Sequence, residues 1–466
     1  GRESKDIDIA VSGDAMIIGE ALAEALGGTF ITMDEQNGVA RVALPQRACN
    51  LDITSLQGSI EKDLALRDFA IDAFALRLPT NDREWSELHI IDLFGGRQDL
   101  ESKLVRMIDR EAYRRDPVRM VRCVRLGAEL DFDIDWETSS TIQHHAHRIK
   151  ESAPERVTDE MMRIFAAPQT ATWLRRMNNF GLLAYVLPEL MAEKGVEQPT
   201  QHYWDVFGHS VEAVSTMERL LARPKPGDAS AHRFVADLWE DFPHVEQVEA
   251  HFAGEVASGR RRAAIGKFAA LLHDIGKPAT KTIDPDGRIR FFGHAQLGAK
   301  TVQDIMRRLR FSNREVAMVS RMVEHHLRPG FMAGKAVADG DRLPSDRAIY
   351  RYYRDTGEEA FDILFLNMAD HWATRGPTVE RRLWRWHAEL THYVIQAYYQ
   401  RQETVRPPGL ITGEDVMEAF GLPPGPRVGQ LLEAAREAQA GGALRTREEA
   451  LGFLREHFIG PGDASS

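Results

Sequence analysis

Two residue patterns in this sequence could do metal chemistry on phosphates. Near the start, Asp6 and Asp8 stand two apart in the apolar run DIDIAV. On a strand both carboxylates face one side while Ile7, Ile9 and Val11 pack the other, so two oxygen ligands point toward a divalent ion. Asp52, between Leu51 and Ile53 in CNLDIT, repeats the arrangement. Three carboxylates on neighbouring strands suit in-line phosphoryl transfer, in which the ions activate an attacking hydroxyl and neutralise the leaving pyrophosphate. Taken alone, Asp-x-Asp is common, and strand-end or turn aspartates would look the same. The second pattern is His273-Asp274 in FAALLHDIGKP, where an imidazole and a carboxylate at the end of a helical run can reach one metal. His209 in FGHS precedes it; His294 in FFGHAQ, His326 in VEHHLRP and Asp370 in LNMADHWA follow. His325 reads as a flanking residue, and His202, His371 and the run at His144 as surface or capping histidines.

The elements that must position these residues fall into two classes. Through the first hundred residues short β-like runs alternate with turns, and EQNG marks a hairpin between TFITMD and VARVAL. After about Asp99 helical periods take over. In SAPERVTDEMMRIF, Ser152 and Glu155 have capping-box spacing, and Val157, Met161, Ile164 and Phe165 share a face. The expected fold class is α+β: a small mixed head followed by an all-α body. Pro/Gly punctuation at RPKPGD and VRPPGLITG marks connections.

Further motifs make the reading specific. DLALRDFAIDAFAL from Asp63 resembles the RRDFTINA motif of the bacterial tRNA nucleotidyltransferase and poly(A) polymerase family, and IIDLFGGRQDL from Ile90 its DPFGGxxDL segment. The resemblance assigns Arg67 and Asp68 to the sugar of an incoming nucleotide; a carboxylate and a guanidinium can bind ribose and phosphate while pairing with each other. YRRDPVRMVRCVRLGAEL from Tyr113 resembles EDxxRxxRxxRF, whose Asp and Arg serve as a protein template for the base. Asp116 and Arg119 match, with i, i+3 spacing expected to put both on one helix face, and Arg122 follows on the nucleotide-binding stripe. Arg114, Arg122 and Arg125 also read as a basic stripe for RNA phosphate, and Val118, Val121 and Val124 seat the helix. The ordered histidine and aspartate set, with RFFGHAQLGAK and RLRFSN, resembles the metal-dependent HD phosphohydrolase domain attached to such transferases. The resemblance implies His209, His273, Asp274, His294, His326 and Asp370 as ligands of a divalent metal of unspecified identity, and Mg²⁺ on Asp6 and Asp8 with Asp52 as the third catalytic acid. The tail from Gly409 resembles the C-terminal segment of the same proteins.

These motifs imply CCA addition to the tRNA 3′ end from CTP and ATP. Alternatives are addition of CC alone or A alone, poly(A) synthesis, or a working HD hydrolase behind an inactive head. The residues Ile53 to Leu66 between Asp52 and Arg67 form a shorter loop than full CCA-adding members carry, a feature associated with partial addition. The chain starts after the position of the family's triphosphate-cradling glycine turn, so an N-terminally truncated head is expected. Leu66, Ala70, Asp72 and Arg115 depart from the family motifs. The domain expectation is a head at 1–110, a helical neck at 111–190, an HD domain at 191–404 and a tail at 405–466.

Composition sets bounds. Charged residues make up 28% and apolar residues 43%, as in ordinary globular proteins. A net charge of −11 argues against a general basic coat and leaves RNA contact to local patches. No apolar run is long enough to cross a bilayer, and a cytoplasmic location is expected. Cys49 and Cys123 are too few for a disulfide framework or zinc cluster and are expected as buried thiols.

Overall fold

The computed structural model describes residues 6–44, 46, 49–56, 58–78, 90–225, 228, 232–257, 259–332 and 343–458. The chain start, where an N-terminally truncated head is expected, lies outside them. The chain forms two compact units, residues 1–148 and 149–466.

In the first unit, strands β1 (Asp6–Val11), β2 (Thr29–Asp34), β3 (Val39–Leu44) and β4 (Cys49–Ser55) form one sheet in the order β1-β4-β3-β2. The β2–β3 hairpin turns through Glu35 to Gly38, whose φ of 63° suits glycine. Helix α1 (Ala15–Leu26) is capped by the Asp14 side chain and covers one sheet face. Beneath it Val42, Leu44, Leu51 and Ile53 are buried, with Ile9 and Val11 packed against them. Ile7 departs from its expected place: at the strand start it is 48% exposed, beyond the reach of α1.

Helix α2 (Ile60–Ala65) follows, then α3 (Gly96–Glu101), α4 (Ala112–Arg115) and α5 (Arg119–Leu130). The expectation that Asp116 and Arg119 share a helix is corrected. Pro117 cannot continue the α4 hydrogen-bond pattern, and Asp116 caps α4 in an extended conformation with α5 beginning at Arg119. Val118, Val121 and Val124 are buried as the spacing predicts. Arg125 is buried too and pairs with Glu129, which takes it out of any surface stripe.

The second unit is helical apart from short two- and three-residue strands. Pro154–Ala166 starts one residue later than the expected capping box allows: Ala153 is the cap and Pro154 opens the helix, so Ser152 and Glu155 do not cap it. Val157, Met161, Ile164 and Phe165 are buried. The segment between Arg223 and Arg262, opaque in sequence, contains helices Arg233–Trp239 and Val245–Ala253. The first is anchored on helix Arg381–Gln400 by Asp237, which accepts from Arg381 at 2.7 Å and Arg385 at 3.1 Å. Cys123 is buried, whereas Cys49 is only half-buried at a strand start.

Candidate active site and candidate metal centre

The head site is built by strand register. In the parallel β1–β4 pair, Asp6 lies opposite Asn50 and Asp8 opposite Asp52; in the antiparallel β3–β4 pair, Arg41 lies opposite Asp52. Facing positions project to one side, so all five side chains share the sheet face away from α1. Arg41 grips Asp52 bidentately, with Nε 2.6 Å from Oδ1 and Nη2 2.7 Å from Oδ2. Asn50 donates to Asp6 at 3.0 Å. Asp8 is 69% exposed and meets Arg67 Nη1 only at 3.8 Å. Oxygen donors crowded on one wet face, with Asp8 exposed and Arg67 no nearer to it than 3.8 Å, fit a hard divalent ion.

The sugar and base candidates form a second layer. The expected Arg67–Asp68 pair is not formed. Arg67 instead lies 3.4 Å from Asp63 and faces Asp8. Asp68 is buried and takes Arg119 Nε at 2.8 Å and Arg122 Nη1 at 2.5 Å. Arg119 also lies 3.7 Å from Asp116, so template Asp and Arg do meet, through the interhelical turn. The FGG segment positions this layer: Asp92 accepts from the amides of Gly96 at 2.9 Å and Arg97 at 3.0 Å. A Cβ at Gly96 would sit 2.1 Å from the Ala70 carbonyl oxygen, so only glycine lets α3 press onto the chain after Asp68. Sequence reasoning missed Arg41; its only signal was a cation alternating with apolar residues in VARVAL.

The second unit brings all six HD candidates together. His209 comes from helix Val206–Leu221, and His273 and Asp274 from just past Arg262–Leu272. His294 opens helix His294–Arg308, His326 caps Asn313–His325, and Asp370 lies on Ala360–Arg375. His209 Nε2 is 3.1 Å from Asp370 and 3.2 Å from Asp274; His294 Nε2 and His326 Nε2 lie 3.4 and 3.7 Å from the other Asp274 oxygen. Backbone carbonyls three residues back hold the Nδ1 atoms of His273, His294 and His326 at 2.9, 2.7 and 2.7 Å. That fixes each ring with Nε2 toward the centre, the outer-shell arrangement of metal-binding imidazoles. His294 Nε2 and His326 Nε2 are buried without a hydrogen-bond partner, so the donor set fits an ion. Gly276 makes the geometry possible: a Cβ there would meet the His294 carbonyl oxygen at 2.2 Å.

Burial opposes a proton on His273, but Asp274 and then Asp370 overcome it and raise the ring to about 10. Burial, then His273, pushes His326 down to about 4. Sequence reasoning missed neighbours of the cluster. Lys277 bonds the Asp274 carboxylate and donates to Gln198 at 2.7 Å. Glu193 is fully buried, and burial holds its carboxyl well above the usual range, with Ser210 lowering it and Asp274 raising it. His202 and His371, expected at the surface, are half-buried: the His202 ring lies 5.8 Å from that of His209 and is pushed down to about 4 by burial, and the His371 ring lies 4.0 Å from that of His387.

Comparison with known proteins follows the same division. Residues 1–106 match the poly A polymerase head domain, 131–194 the probable RNA and SrmB-binding site of polymerase A, and 206–363 the HD domain. The chain is 32% identical to the A-adding tRNA nucleotidyltransferase of Deinococcus radiodurans, over 93% of this chain and 87% of that one. The chain belongs to the tRNA nucleotidyltransferases. To the CC-adding tRNA nucleotidyltransferase of Thermus thermophilus this tRNA nucleotidyltransferase is likewise 32% identical, over 97% of its own length and 90% of the relative's. A solved CCA-adding enzyme with ATP shares the fold with a TM-score of 0.61 at 18% identity, covering 100% of this chain and 88% of that one. The Thermotoga maritima CCA-adding enzyme complexed with tRNA shares it with a TM-score of 0.56 at 18% identity, covering 97% and 87%. The nucleotidyltransferase and HD families are both divalent-metal dependent, and among the described residues no helix is long and apolar enough to cross a membrane.

Proposed function

We propose that this transferase extends the 3′ end of tRNA by part of the CCA triplet, adding either C residues from CTP or the terminal A from ATP. Asp6 and Asp8 hold Mg²⁺ and Asp52 is the third acid of the site. Arg67 and Asp68 bind the ribose, and Asp116, Arg119 and Arg122 read the base edge with donors and an acceptor. The Mg²⁺ ions, when bound, supply charge neutralisation at the transferring phosphate. Residues 1–110 are the catalytic head, 111–190 the neck that carries the template, 191–404 the HD domain and 405–466 the tail.

The observation that carries partial addition is the connection after the catalytic strand: β4 ends at Ser55 and α2 begins at Ile60. So short a tether limits how far the template side can adjust when the growing 3′ end changes from C to A. The two relatives at 32% identity carry the names A-adding and CC-adding, in keeping with this reading. It is tested with tRNA transcripts ending before the triplet, after its first C and after its second C, with labelled CTP and ATP. The enzyme is used as this chain and as the same chain joined to the N-terminal segment of the Thermus relative. Incorporation at one stage only is expected. Addition of C and A to every acceptor would replace the proposal with full CCA addition, and no addition by either protein would remove transferase activity altogether.

A second reading rests on the six convergent ligands of the HD cluster: a divalent ion there makes the domain a phosphoester hydrolase. Release of p-nitrophenol from bis(p-nitrophenyl) phosphate, dependent on added Mn²⁺ or Ni²⁺ and lost in Asp274→Asn, is the expected result; metal binding without turnover would leave a structural metal.

A further inference from the structure

In the second unit, helices Asp346–Thr356, Arg381–Gln400 and Pro426–Ala440 and the segment 405–407 enclose a cavity of about 270 Å³ that shares no residue with the HD cluster. Its lining includes Tyr350, Tyr353, Tyr398, Arg354, Arg406 and Arg436, and no acidic side chain. In a chain of net charge −11, a cavity lined by three phenols and three guanidiniums, one of them ion-paired, is a local concentration of cations.

The three cations are not equivalent. Arg354 is committed, with Asp355 at 2.5 Å and Glu433 at 2.7 Å. Arg406 and Arg436 are exposed and have no carboxylate partner among the described residues. The Arg406 guanidinium lies 6.0 Å over the Tyr398 ring. The tyrosines also differ. Tyr350 donates to Glu433 at 3.0 Å and Tyr353 to the Val394 carbonyl at 2.7 Å, so both hydroxyls are satisfied. The Tyr398 hydroxyl has no partner among the described residues, and its ring, 5.2 Å from that of Tyr353, is held from behind by the aromatic core. The walls are already fixed: Glu437 pairs with Arg347 and Arg351, and Val405 is buried.

A scattered pair of surface arginines would be ordinary solvated charge. Unpaired guanidiniums beside a pre-positioned aromatic ring in one concavity are instead the two halves of nucleotide recognition: phosphate on the planar fork and base on the π-face. The volume falls just under the roughly 300–1,000 Å³ of whole small-molecule sites, which suits one nucleotide unit and not a duplex. We propose that this cavity takes one unstacked nucleotide of the bound tRNA, with its phosphate on Arg406 and Arg436 and its base against Tyr398. The inference rests on the reading of the chain as a tRNA nucleotidyltransferase.

The test is tRNA affinity of the full chain by fluorescence anisotropy over a KCl series, with AMP as a separate ligand. Arg406→Ala/Arg436→Ala is expected to weaken tRNA binding about tenfold and to make the salt slope shallower by about one. Arg406→Lys/Arg436→Lys should keep most of the affinity, and Tyr398→Leu should lose several-fold where Tyr398→Phe does not. In the extension assay the same Arg-to-Ala variant should raise KM for tRNA and leave KM for CTP or ATP and kcat unchanged. An unchanged tRNA affinity and salt slope in the double alanine variant overturns the cavity, as does AMP binding lost in that variant while tRNA binding persists. Failure of the catalytic reading shows separately: a wild-type chain that adds nothing to tRNA yet binds it in an Arg406- and Arg436-dependent way leaves the cavity standing.

Discussion

The head carboxylates and the HD cluster are both metal-competent, yet they are assembled by opposite means. The head set sits on an open sheet face, with the Asp8 side chain 69% exposed, and its geometry follows from the register of two adjacent strands. The HD set lies inside a helical bundle, with His209, His273 and His326 wholly buried and the rings of His273 and His326 oriented by backbone carbonyls. Exposed oxygen donors leave coordination to be completed by a substrate's phosphates, as transfer from a nucleoside triphosphate requires. Buried imidazoles and carboxylates supply more of an ion's ligands themselves, so its retention depends less on substrate while a position can stay open for water.

The comparison can be broken most directly by removing one carboxylate from each site. Asp8→Ala should lower nucleotide addition by at least about 10³-fold, since a catalytic metal contributes several kcal/mol at the transition state. Metal content of the second unit, read by mass spectrometry, should be unchanged. Asp274→Asn should give the reverse: loss of bound metal and of the rise in melting temperature on adding Mn²⁺, with nucleotide addition retained. If either substitution abolished both properties, the sites would not be independent.

A smaller effect tests the scaffold of the head. Gly96→Ala places a methyl within 2.1 Å of the Ala70 carbonyl oxygen, so α3 must shift. A loss of about 1–3 kcal/mol in denaturant unfolding is expected, typical of overpacking, with a raised KM for the nucleotide because Asp68 lies on the displaced segment. Unchanged unfolding would show that α3 does not bear on Ala70.

The smallest effect sharpens the account of the buried site. Burial pushes the Glu193 carboxyl above its ordinary value, so its folded pKa lies above that of the unfolded chain. Native protein then binds the proton more strongly, and the stability contributed by this group is full below its unfolded value, near 4.5, and is lost as pH rises. Glu193→Gln carries no such proton. The melting temperature of the variant relative to wild type should therefore improve from pH 5 to pH 8. A difference that stays constant with pH would mean Glu193 is not a buried acid.

Much of the head was legible because strand periodicity is local. The alternation in DIDIAV and CNLDIT places Asp6, Asp8 and Asp52 on faces without knowledge of the partner strand, and the hairpin at EQNG follows from turn chemistry. What local pattern could not give was the partner of each charge. Asp68 is adjacent to Arg67 in sequence, but α5 brings Arg119 and Arg122 to it from more than fifty residues away. The helix boundary at Pro117 likewise turned an expected i, i+3 pair into a contact across a turn.

The metal-competent residue types, their order, and the division into a β-rich head and helical body can be read from the chain alone, because these depend on short periodicities and on motifs whose spacing is carried by single elements. Only the tertiary structure decided that Arg41 faces Asp52, that Lys277, Glu193 and His202 surround the HD ligands, and that Tyr398, Arg406 and Arg436 share a cavity. Those contacts join segments distant in the chain, and the free energy that selects them comes from burial and pairing across elements, which no local window contains.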